Sequence, residues 1–160
     1  MARHRFHGDP TRFEVVADFV AGRFPRARTA ADVAGGQGML ARLLTKRHNV
    51  TTDVIDPRGW TLRGVSSRVE EYDAAMAGHY DVIVGLHPDE ALPAVVASAR
   101  TRPVVVVPCC NFLDRERKLG RDALLAAIAG GHDGDTEAVT FDFRGPKNEG
   151  LVLLPIGAAR

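Results

Sequence analysis

Cysteine is scarce in this chain: Cys109 and Cys110 are its only two, and they are neighbours. Adjacent cysteines close a disulfide only with strain, so a secreted scaffold stapled by disulfides is excluded and reduced thiols are expected. There is no C-x-x-C pair and no fourth ligand to join His87 and the two thiols around a tetrahedral ion, so no metal is expected. Hydrophobic runs are short as well. None approaches the roughly eighteen residues of a membrane-spanning helix, and the arginine-rich start lacks the apolar core of a signal peptide. The expected setting is therefore cytoplasmic, with no membrane partner. An excess of charge is also missing: 21 Lys and Arg face 20 Asp and Glu, a formal net charge of +1, which exerts no global pull towards nucleic acid.

What the chain does have is an alternation of strand and helix patterns. Its 160 residues suffice for one domain with a real core. That domain reads as a basic arm (1–8), an N-terminal helix (9–25), a cofactor-binding core (29–112), and a last helix with a hairpin (113–160). Phe13, Val16, Phe19, Val20 and Phe24 share one face of a helix over 11–24, with Asp9-Pro10 ahead as its start signal. Strands are expected at 29–34, 50–55, 64–69, 81–86 and 102–108, the last an unbroken β-branched run suited to a central parallel strand. Helices are expected at 90–99 and 115–129. After Gly130-Gly131 the period changes, and 138–143 and 150–154 alternate about a turn at Gly145-Pro146-Lys147-Asn148, which predicts an antiparallel hairpin.

The segment 29–47 carries the most information, because it reads as a buried strand, a glycine-rich turn and an amphipathic helix. Ala30, Ala31, Val33 and Ala34 form the strand, and Gly35, Gly36 and Gly38 permit positive φ and close approach of a ligand to the backbone. Met39, Leu40, Leu43 and Leu44 then recur at helical spacing. A second strand ends at Asp56, an acid placed to bind the hydroxyls of a ribose. Two ligand classes fit. Gly36-Gln37-Gly38-Met39-Leu40-Ala41 satisfies the G-x-G-x-x-A form of a dinucleotide fingerprint, which points to an NAD(P)-binding oxidoreductase. Asp32 favours the other class, since a carboxylate before the turn repels a pyrophosphate at the helix N-terminus yet suits an ammonium.

Asp32-Val33-Ala34-Gly35-Gly36-Gln37-Gly38 resembles the first motif of class I S-adenosylmethionine-dependent methyltransferases, with Ala34 in place of the first glycine. The resemblance implies a doubly wound α/β fold: a mostly parallel seven-stranded sheet, helices on both faces and a C-terminal antiparallel hairpin. It implies that Asp32, Ala34, Gly35, Gly36, Gly38 and Asp56 bind S-adenosylmethionine, together with Gly85 and Leu86 at the end of the fourth strand. Gly85-Leu86-His87 and Cys109-Cys110 also resemble a subgroup with G-L-H-x-C-G-D-L followed by C-C-Y or C-C-H, although Asp89-Glu90 and Asn111 depart from it. Members of that subgroup are linked to RNA or protein methylation.

Methyl transfer from an activated donor asks for alignment and, where the nucleophile carries one, removal of a proton. His87 is the candidate base, since its ordinary pKa lies near neutrality; a cap or scaffold role is its alternative. Arg3, His4, Arg5, His7 and Arg12 around Phe6, and a second cluster from Arg100 to Arg121, suit phosphates and a stacked base. RNA is accordingly placed ahead of a protein side chain or a metabolite as acceptor. With no inserted lid in the sequence, a homodimer or partner subunit is a further way to complete the acceptor site. A non-catalytic cofactor-binding module stands as the other alternative.

Overall fold

Along the strands, successive apolar side chains point to opposite sides, as the pleat requires. Val82 and Val84 of one strand pack into one buried cluster and Ile83 into the other; Val105 and Val107 of the next strand take the first side, Val104 and Val106 the second. A sheet apolar on both faces must be covered on both. In the computed structural model, which describes residues 8–158, α1 (Arg12–Arg23) and α2 (Met39–His48) cover the first face through Val16, Val20, Leu40 and Leu44. The second face is covered by α3 (Leu92–Ala97), α4 (Arg121–Gly130) and a 3-10 helix (Ala74–His79), through Leu92, Val95, Leu124, Ile128 and Ala77. Most of the basic arm lies outside the described residues.

The strands are β1 (Thr29–Val33), β2 (Thr51–Ile55), β3 (Ser67–Arg68), β4 (Val82–Leu86), β5 (Val104–Val107), β6 (Thr136–Thr140) and β7 (Glu149–Leu153). They form one seven-stranded sheet in the order β3-β2-β1-β4-β5-β7-β6. The five strands from β3 to β5 pair in parallel, whereas β7 runs antiparallel to both β5 and β6. The doubly wound, mostly parallel sheet with a closing hairpin is therefore the architecture the motifs implied. No helix among the described residues is long and apolar enough to cross a membrane.

The differences from expectation are local. The third strand shrinks to Ser67–Arg68, exposed at the sheet edge. The helix expected over 115–129 starts only at Arg121, because the Asn111 side chain folds the preceding segment back on itself: its Nδ2 donates to the carbonyls of Asp114 and Arg117 at 2.8 and 2.6 Å. Strand β6 ends at Thr140, before the phenylalanines. Phe141 and Phe143 turn back into the first core cluster, where the Phe141 ring meets Phe19 of α1 edge-on at 5.1 Å. The Ala74–His79 helix has no periodic signal; Asp73 caps it by accepting the Ala75 N–H at 2.7 Å.

Candidate functional site

Strand β1 is where the winding reverses, with β2 on one side and β4 on the other. Crossovers on the two sides leave over opposite faces and open a crevice outside the carboxyl ends of the strands. A cleft of about 830 Å3 lies there. Each parallel strand lends it a residue from the loop that follows: Ala34 after β1, Asp56 after β2, Tyr72 after β3, Asp89 after β4 and Cys110 after β5.

The turn between β1 and α2 is shaped by left-handed backbone at Ala34 and Gly36, with φ of 54° and 58°. Ala34 thus adopts the conformation that a glycine would take without strain. Gly38 is left-handed too, with φ of 80°, and it and Gly35 also answer a steric need. A Cβ on Gly35 would collide with the Asp32 carboxylate, and one on Gly38 would come within 2.8 Å of Val54 and 2.9 Å of Val65. Asp32 itself is only 2% exposed and faces inward, accepting the Ala41 N–H in the first turn of α2 at 3.2 Å. Burial pushes its carboxyl up to about 7, against the pull of that bond and with a further push from Asp56.

Asp56 is 3% exposed at the end of β2. The Gly36 N–H donates to its Oδ2 at 2.9 Å, so the acid and the glycine turn meet. Arg58 takes the remaining positions: its backbone N–H and Nε each donate to Oδ1 at 2.9 Å, and Nη2 donates to Oδ2 at 2.7 Å. Burial works to raise this carboxyl, but the bonds from Arg58 and Gly36 outweigh it and hold it below its usual range.

Solved structures with this architecture include the sugar N-methyltransferase KedS8 from Streptoalloteichus sp., at a TM-score of 0.61 and 16% identity over 97% of this chain and 96% of that one. An O-methyltransferase family protein from Burkholderia thailandensis superposes at 0.52 and 16% identity, covering 91% of this chain and 57% of its own length. The N-terminal domain of EvdMO1 with SAH bound superposes at 0.55 and 12% identity, over 91% of this chain and 80% of that one. The chain has the class I methyltransferase fold. Comparison with models of protein families gives no match, and neither does comparison with curated proteins.

On the methyltransferase fold, the residues singled out in the sequence fall into two groups. Ala34 and Asp56 line the cleft, and Gly36 reaches its edge through Asp56. Asp32, Gly35, Gly38, Gly85 and Leu86 do not line it. A Cβ on Gly85 would approach Val95 of α3 to 2.9 Å, and Leu86 is buried in the core on the α1 side. His87 does not line the cleft either. Its Nε2 donates to the Lys147 carbonyl at 2.9 Å, and its ring lies edge-on to Phe143 at 6.5 Å, so it ties the loop after β4 to the C-terminal hairpin. Burial lowers its pKa below the usual histidine value, opposed by the Lys147 bond.

Arg58, Tyr72 and Asp89 line the cleft but carry no motif. Only Arg58 had a readable signal, a cation two residues beyond an acid at a strand end. Tyr72 follows a strand too short to register, and its hydroxyl shares a hydrogen bond of 2.7 Å with Ser98. The two thiols have different outside partners: Cys109 Sγ donates to Asp89 Oδ1 at 3.0 Å, whereas Lys147 Nζ lies 3.8 Å from Cys110 Sγ.

Proposed function

We propose that this chain is an S-adenosylmethionine-dependent methyltransferase with its cofactor in the cleft. The observation that carries the reading is Asp56, a buried carboxylate bonded to the glycine turn at the reversal point of a sheet with methyltransferase strand order. The residues present suit the cofactor. The cleft volume falls within the range of about 300 to 1,000 Å3 typical of small-molecule sites. Asp56 and the Gly36 backbone would hold the ribose, and Tyr72 would flank the base. When bound, S-adenosylmethionine supplies a methyl group already activated on a sulfonium. The chain then has to align the acceptor, exclude competing groups and take up a proton.

A dinucleotide oxidoreductase is less well supported, because the buried Asp32 already accepts the Ala41 N–H at the start of α2, where a pyrophosphate would rest. An RNA acceptor is less well supported, because most of the basic cluster from Arg100 to Arg121 is engaged; Arg100 and Lys118 form no ion pair among the described residues. Arg115 pairs with Glu90, Arg117 with Asp114, and Arg121 with Asp122 and Glu149. Arg102 is committed to the carbonyls of Tyr80 and Gly78.

Thermal melting tests the reading. S-adenosylmethionine and S-adenosylhomocysteine should each raise the Tm by several degrees at about a hundred times Kd, a stabilisation of about 2.7 kcal/mol, while NAD should leave it unchanged. A shift with NAD alone would replace the reading with the oxidoreductase.

A further inference from the structure

The loop after β4 divides two titratable side chains between opposite tasks. His87 and Asp89 both have left-handed backbone, with φ of 54° and 49°, on either side of the buried Pro88. Such conformations are costly for residues other than glycine and gather at functional sites. The result is a sharp reversal that commits the His87 ring to the hairpin and leaves Asp89 on the cleft wall. Asp89 is also held. Cys109 donates its thiol proton to Oδ1 at 3.0 Å, and burial together with Asp89 pushes that thiol up to about 12, so it remains a donor at neutral pH. Oδ2 has no hydrogen bond among the described residues.

The charges of the cleft sharpen this division. Its carboxylates are Asp56, Glu71, Asp89 and Glu90, and its guanidiniums are Arg58 and Arg115. Arg58 is bound to Asp56, and Arg115 to Glu90. Asp89 and Glu71 form no ion pair among the described residues, so the cleft carries an excess of negative charge in a chain of net charge +1. A carboxylate facing a reacting centre repels a developing alkoxide or phenolate but stabilises a nitrogen that becomes cationic.

Resting on the methyltransferase reading, we propose that Asp89 is the catalytic carboxylate and that the acceptor it serves is an amine. The lone pair of the neutral amine forms the N–C bond as the S–C bond breaks, with that electron pair staying on sulfur. The nitrogen becomes cationic, Asp89 Oδ2 accepts a hydrogen bond from its N–H, and the surplus proton passes through the carboxylate to solvent. His87 faces the hairpin and takes no part in this step.

Sinefungin, which carries an amine where the transferable methyl group would stand, probes this point without turnover. Calorimetry should find that it binds the wild-type chain at least about tenfold more tightly than S-adenosylhomocysteine, the scale of one hydrogen bond to a charged group. Asp89→Asn should abolish that preference while leaving S-adenosylhomocysteine affinity within about twofold. Asparagine tolerates left-handed φ, so the variant should fold, and His87→Ala should keep the preference. A preference that survives Asp89→Asn, or equal weakening of both ligands, overturns the role of Asp89. Failure of both ligands to bind the wild type overturns the methyltransferase reading, and the proposal with it.

Discussion

Arg58 grips both oxygens of Asp56, with Nε on Oδ1 at 2.9 Å and Nη2 on Oδ2 at 2.7 Å. Together with the backbone N–H groups of Gly36 and Arg58, the guanidinium fills the carboxylate's acceptor positions. A ribose can reach Asp56 only if Arg58 releases it. Arg58 has somewhere to go, since its guanidinium already lies 4.9 Å from the exposed ring of Trp60 and feels the charge of Asp89.

Asp56→Ala should therefore weaken S-adenosylhomocysteine binding by about 1.5–3 kcal/mol, the loss of hydrogen bonds to a charged group. Arg58→Ala should strengthen it by up to about 1 kcal/mol, the scale of a partly exposed ion pair. Trp60 is the only tryptophan, and its emission should change on ligand addition to the wild type but much less in Arg58→Ala. Calorimetry showing both variants equally weakened would make Arg58 part of the ligand site rather than its competitor.

Asp32 sets a pH dependence of stability. Its folded pKa is raised from 3.8 to about 7 by burial, so the native state holds this proton more tightly than the unfolded chain does. Stability from this group is fully present below about pH 4 and is lost as pH rises through about 7. Asp32→Asn keeps an acceptor for the Ala41 N–H and removes the buried charge. It should raise stability by about 1–3 kcal/mol at pH 8 and flatten the fall between pH 4 and 7. Urea melts across that range would detect it, and an unchanged slope would show that another group titrates there.

His87→Ala should act on the hairpin. Loss of the bond to Lys147 should cost about 0.5–1.5 kcal/mol, the usual net value of a hydrogen bond. Hydrogen exchange should quicken first in the loop 141–148, whose anchor to the loop after β4 is lost. Because burial lowers the folded pKa of His87 below its ordinary 6.5, its contribution is present above pH 6.5 and is lost as pH falls through the folded value. A large loss of cofactor affinity without loss of stability would instead give His87 a direct contact with the ligand.

The sequence by itself determined most of the elements and their order along the chain. Pattern records which residues are buried, and burial is decided residue by residue: the unbroken apolar run of β5, the stripe of α1 and the glycine turn were all legible for that reason. Asp56 was legible too, because one strand's end and one acid suffice to mark it. The tertiary structure alone decided where polar groups point. Asp32 turned inward because Gly35 leaves room for its carboxylate and the Ala41 N–H offers a partner. Cys109 found Asp89 across 20 residues of sequence, and His87 found Lys147 across 60. Hydrogen bonds of this kind join loops that only the crossovers bring together, and no local period in the chain encodes which of several neighbouring partners a polar side chain will take.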